Sequence, residues 1–142
     1  MVGCLGEAFA PFRAEYTPAA FDDTVVSLPA ARVRWQRMNL YVAEDPSAGI
    51  VGTIASSLES IGAGHLRGMA VRPAWQGRGI AEALLTAALA DLRAGGCHRV
   101  TLETTLPLRR AARFYAKHGF RRSGKVSDFF GMPLIEFVRE IL

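Results

Sequence analysis

Between residues 39 and 71 apolar and polar side chains alternate, and from Gly79 onward the apolar ones recur every three or four positions. The first pattern belongs to half-buried strands, the second to a helix with one buried face. NLYVAED (39–45) therefore reads as a strand, PSAG (46–49) as a turn and IVGTIASSLES (50–60) as the second strand of a hairpin. IGAG (61–64) turns the chain into a third strand, HLRGMAVRP (65–73), which Pro73 ends because it has no N–H for the ladder. Ile80, Ala81, Leu84, Leu85, Ala88 and Leu92 share one face of the following helix, and Gly95 and Gly96 stop it.

The flanks complete the scheme. GEAFAPFRAEYTPAAF (6–21) reads as a first helix and the loop to a second, which Thr17 and Pro18 open as N-cap and N1. That second helix breaks near Pro29, before another basic turn. HRVTLETT (98–105) is a strand, and PLRRAARFYAKHG (107–119) a helix with Pro107 near its start and Gly119 past its end. FRRSGKV (120–126) and MPLIEFVREI (132–141) are the final strands, and SDFFGMP (127–133) a loop with two adjacent aromatics. Helices, three strands, helix, strand, helix and two strands make a mixed α/β sheet in one domain, 1–142.

Composition narrows the classes. Half of the 142 residues are hydrophobic, enough for a core and too many for a disordered chain. No apolar run approaches the ~18 residues of a membrane span, and the N-terminus lacks the basic-then-apolar order of a signal peptide. Cys4 and Cys97 are too few for a disulfide framework and have no metal-ligand spacing, which points to the reducing cytoplasm and to no metal. The net charge is +4, but the arginines are spread out rather than gathered in a stripe with interleaved aromatics. That favours a solvated surface over a nucleic-acid partner, and it suits an anionic small ligand.

The segment VRPAWQGRGIAEALL (71–85) makes such a ligand specific. A strand runs into a glycine turn and then a helix, whose first N–H groups have no internal partner and sit at the positive end of the dipole. Gly77 and Gly79 let backbone approach an anion without a Cβ between, and Arg72 and Arg78 add charge. No G-K-[ST] follows, so this is not a P-loop, and the dinucleotide fingerprint lacks its third small residue.

Gln76, Gly77, Arg78, Gly79, Ile80 and Ala81 resemble the [Q/R]-x-x-G-x-[G/A] acetyl-CoA motif of the GNAT superfamily of N-acetyltransferases. A second match lies downstream, where Phe114, Tyr115, Gly119 and Phe120 stand in the places of LY-x-x-x-GF. Together they span roughly Leu40 to the C-terminus. The resemblance implies the GNAT fold: a mostly antiparallel sheet splayed between two parallel strands and flanked by helices. It implies acetyl-CoA as co-substrate, its pyrophosphate on the turn and its pantetheine arm paired with Met69, Ala70 and Val71. Backbone N–H groups near Ala70 and Val71 would form the oxyanion hole. Two departures stand out. Leu108 occupies the place of an Asn common in the family, whose contact to pantetheine must come from elsewhere or be absent. The usual first strand also lacks room, which leaves a bare sheet edge around Leu40–Leu58 and suggests a homodimer.

Acetyl transfer to an amine requires a deprotonated acceptor, a stabilised oxyanion, a protonated leaving thiolate and alignment of the two substrates. Tyr115 is the candidate acid by its place in the second motif; a structural core tyrosine is the other reading. His65, at the start of the third strand, and Glu103, on the next, are candidate bases, either of which can instead be a surface or cation-binding group. Arg109 and Arg110 either meet the CoA phosphates or lie on an exposed helix face. His98 and His118 read as surface, and Cys97 as packing. The acceptor is a small-molecule amine or a peptide, lined by Phe12, Tyr16, Phe129 and Phe130, with Asp128 as an ammonium partner. A non-catalytic acyl-CoA-binding module on the same fold is the alternative, and turnover with an amine separates the two.

Overall fold

The computed structural model describes residues 1–141. Its helices are α1 (Val2–Phe9), α2 (Pro18–Thr24), α3 (Leu28–Trp35), α4 (Ile80–Ala94) and α5 (Arg109–Lys117), with a 3-10 segment at Ala10–Glu15. Its strands are β1 (Asn39–Asp45), β2 (Gly49–Ser60), β3 (Ala63–Val71), β4 (Arg99–Thr105), β5 (Arg121–Phe129) and β6 (Met132–Glu140). They form one six-stranded sheet in the order β1-β2-β3-β4-β6-β5, in which only β3 and β4 run parallel. The right-handed habit of such crossovers puts α4 against the sheet between them.

The alternating pattern found every strand from 39 to 71, and three boundaries differ from it. Pro29 does not break a helix. It lies in the first turn of α3, where the missing N–H has no partner to lose, and the Ser27 side chain caps that turn by accepting from the Ala30 N–H. The first helix starts at Val2 rather than Gly6 and leads directly into the 3-10 segment. The last hairpin is tighter than a seven-residue loop: Phe129 pairs with Met132, so only Phe130 and Gly131 turn, both with positive φ (49° and 88°) as a two-residue hairpin requires.

The sheet is covered on both faces. Leu84, Leu85, Ala88, Leu89 and Leu92 of α4 and Tyr115 of α5 pack with Ile54, Leu66 and Val100 into the main core. Cys4 and Leu5 of α1 pack on Ala70 on the opposite face. Tyr16, Ala20 and Phe21 pack with Met132 under α2.

One irregularity interrupts the β2–β3 ladder. Thr53 opposes Ala70 but Ala55 opposes Arg67, so Gly68 and Met69 together face Ile54 in a bulge, with Gly68 at φ +66°. The extra residue resets the alternation, so that Leu66 and Val71 both reach the α4 core while Ala70 turns to α1. On its other side β3 parts from β4 after His65, three residues before the bulge. The two pair only through Ala63–Arg99, Gly64–Val100 and His65–Thr101.

Candidate active site

The gap between the diverging strands is a cleft of about 820 Å³ that reaches from the start of α4 to the α2–α3 region. At one end lies the glycine turn. Gly77 and Gly79 have φ of +77° and +80°, which an L side chain adopts only with strain, and a Cβ at Gly79 would meet no protein atom within 4 Å. Gly79 is the N-cap of the 15-residue α4 and caps it with no side chain, so the first N–H groups point outward. The Gln76 side chain donates to the Val71 carbonyl at 3.0 Å and accepts from Arg110 at 3.0 Å, tying the turn to both β3 and α5. The charge at this turn differs from the expectation. Arg72 points away, bonded to Glu7 and to the Ile50 carbonyl, and Arg78 stacks on Trp75 at 4.6 Å. Arg110 stands there instead, 3.9 Å from a Cβ built on Gly77, whereas Arg109 faces a separate small pocket with Arg113 and Arg122.

Midway, Met69, Ala70 and Val71 line one wall and Thr104, Leu108, Phe114 and Tyr115 the other. Tyr115 is 7 % exposed and held by Phe114, Phe120 and Phe137, with ring centroids at 5.5, 5.8 and 6.5 Å. Burial pushes its hydroxyl well above the ordinary tyrosine value, so it stays protonated at any physiological pH. Thr104 is 5 % exposed, and its Oγ1 has no hydrogen-bond partner among the described residues. Thr53 Oγ1 and Ser56 Oγ are likewise without a partner among the described residues, but of the three only Thr104 lines the cleft. His118, expected at the surface, lines the cleft with its ring 4.5 Å from that of Phe114.

At the far end His65 and Glu103 come together. The pair of neighbours His65–Thr101 and the two-residue step to Glu103 put both side chains on one face. His65 Nδ1 is 2.9 Å from Thr101 Oγ1, and Nε2 is 3.8 Å from Glu103 Oε1. Burial lowers the imidazole pKa more than Glu103 and Glu59 raise it, so His65 is neutral at pH 7. Tyr16 lies beside them, its hydroxyl 2.5 Å from Thr105 Oγ1, and burial raises its pKa as well.

Phe12, Tyr16 and Phe129 line the cleft; Asp128 and Phe130 do not. Asp128 accepts from the Gly131 N–H within the hairpin turn, and Phe130 is exposed on it. Among the lining residues that escaped the sequence reading are Gly68, Thr104, Asp23, Arg34, Trp35 and Arg67. A glycine inside an alternating strand is a bulge signal, so Gly68 was within reach. The others carry no motif.

The acetyltransferase (GNAT) family model matches residues 6–120. The chain belongs to this family. One curated relative, aminoglycoside N(6')-acetyltransferase type 1 of Stenotrophomonas maltophilia, is 36% identical over 76 residues. The match covers 54% of this GNAT chain and 49% of the relative, so the chain spans about half the length of the curated relative it matches. PaiA N-acetyltransferase from Thermoplasma acidophilum, solved in complex with coenzyme A, superposes with a TM-score of 0.75 at 16% identity, over 99% of this chain and 90% of that one. A GNAT family acetyltransferase from Elizabethkingia anophelis with acetyl-CoA bound gives 0.65 at 17% identity, over 81% and 84%. These likenesses establish the GNAT fold, with its six-stranded mixed sheet between helices.

Proposed function

We propose that this protein transfers an acetyl group from acetyl-CoA to a primary amine by direct attack in a ternary complex. The observation that carries the reading is one continuous cleft that joins an anion-binding helix start to a buried protonated tyrosine and a neutral histidine beside a carboxylate.

Acetyl-CoA supplies an activated acyl group as a thioester. The N–H groups from Gly77 to Ala81, with Arg110 beside them, bind its pyrophosphate. The backbone of Met69, Ala70 and Val71, which no longer pairs with β4, accepts the pantetheine arm as an added strand. Thr104 Oγ1 offers the hydrogen bond that Leu108 cannot. N–H groups around Ala70 and Val71 stabilise negative charge on the carbonyl oxygen. With Nδ1 protonated and donating to Thr101, His65 presents the Nε2 lone pair to the acceptor's ammonium, and Glu103 stabilises the resulting imidazolium. Tyr115 protonates the departing thiolate. Phe12, Tyr16 and Phe129 flank the acceptor.

The proposal includes a homodimer through the open edge of β1 and a cytoplasmic setting, which suits the free and buried Cys4 and Cys97. The deciding experiment is an acceptor screen that detects free CoA thiol, with Gly79→Ala as its control. That variant should keep its circular dichroism yet lose acetyl-CoA affinity about tenfold or more by titration calorimetry, from backbone strain and the Cβ on the anion face. Unchanged affinity in the folded variant would remove the turn from the site.

A further inference from the structure

Resting on the acetyltransferase reading, we propose that the acceptor is a small amine that also carries a carboxylate, held by Arg34 and Arg67 while its amine lies at the His65–Glu103 pair. The far wall of the cleft is built by three charged residues from three elements. Asp23 on α2 takes Arg34 of α3 on Oδ1 at 3.2 Å and Arg67 of β3 on Oδ2 at 2.7 Å, and Arg34 also donates to the Asp23 carbonyl at 3.2 Å. All three line the cleft. Two guanidiniums thus share one carboxylate, which leaves an excess positive charge and spare N–H donors on both.

That excess acts mainly on Arg34. The side chains of Arg34 and Asp23 are 24% and 28% exposed and that of Arg67 42%, and burial together with the Arg67 charge weakens the protonated form of Arg34. An incoming carboxylate relieves the repulsion and matches the planar fork of a guanidinium. The spacing fits a small molecule. Arg67 follows His65 by two residues on the same strand face, a step of roughly 6–7 Å, so one ligand of a few bonds reaches both. A polycation fits poorly, because Asp23 is already engaged by two arginines and only Glu103 remains to offer a carboxylate at this end. Trp35 and Met38 add apolar wall for a side chain.

The test pairs each of the common L-amino acids with its carboxamide, which has the same side chain and amine but no charge on the acid end. Thiol release is measured with acetyl-CoA, and binding of the matching N-acetyl acids and amides in the presence of CoA is measured by calorimetry. The acid of a used pair should exceed its amide about tenfold or more in kcat/KM, and its product should bind correspondingly tighter. Arg67→Gln should shrink both ratios toward one, and Arg67→Lys should restore part of them. Acid and amide handled alike in both assays, or a higher kcat/KM for an aminoglycoside than for any acid, would overturn the carboxylate site. Acid-selective binding without thiol release from any acceptor would keep the carboxylate site and overturn the transferase reading instead.

Discussion

Tyr115 was legible as a residue type in a motif, but its role depends on surroundings that only folding supplies. Its three aromatic neighbours exclude water, which raises the hydroxyl pKa and makes it a donor rather than a base. Tyr115→Phe removes one hydroxyl and little volume, so kcat should fall roughly 10²–10⁴-fold with acetyl-CoA affinity nearly unchanged. A variant with the kcat of the parent would return Tyr115 to the core. His65 carries the second prediction at this scale. Its folded pKa lies below the ordinary value of ~6.5 because burial outweighs Glu103. The acid limb of kcat/KM should therefore fall below pH 6.5, and Glu103→Gln, which deletes a group that raises the pKa, should move it to lower pH still. The same shift has a stability consequence. The unfolded chain binds this proton more readily, so the contribution of neutral His65 is intact above ~6.5 and declines as pH drops toward the folded value. His65→Gln should flatten the melting temperature between pH 7 and 5; an unaltered slope would show that burial of the imidazole does not matter.

Among the elements, α4 links the glycine turn to the sheet. Its first turn lies close on β2 because Gly52 has no side chain: a Cβ there would come within 2.9 Å of Ile80 Cγ2 and 3.0 Å of Leu84 Cδ1. Gly52→Val should cost about 1–3 kcal/mol as overpacking and push the start of α4 outward. A lower melting temperature and weaker acetyl-CoA binding should therefore occur together, although Gly52 itself lines no part of the cleft. If stability falls while affinity holds, the turn and the sheet are not coupled through this contact. The helix was legible from its period to within a residue, because Gly79 and Gly95 bound a long amphipathic run. The 3-10 segment was not, and the break between α2 and α3 was legible only in outline, near Pro29, because its position is set by the Ser27 cap rather than by periodicity.

For the whole molecule, the sheet ends in two unpaired edges, β1 and β5. β2 is paired on both sides, so the bare edge expected around Leu40–Leu58 is β1 alone, with Leu40 and Val42 at 37% and 42% exposure. Open edges with apolar side chains invite pairing. A dimer through β1 should give twice the monomer mass by light scattering at about 50 μM, well above a typical weak-dimer constant, and Val42→Lys should return it to monomer. A monomer for the unmodified chain would leave β1 as a tolerated edge. No helix among the described residues is long and apolar enough to cross a membrane.

Local regularities were decided by the sequence alone. The period of the apolar residues set strands and helices, the glycine turn gave a backbone-open helix start, and two motifs pointed to the family, because each depends on residues near one another along the chain. The far end of the cleft was decided only in three dimensions. His65 meets Glu103 across 38 positions and Asp23 meets Arg67 across 44, through a parallel pairing and a helix laid over the sheet. The divergence of β3 and β4 after His65 and Thr101 then turns these distant charges into the walls of one cleft. No short window of sequence contains both partners of such a pair, so spacing carries no sign of them.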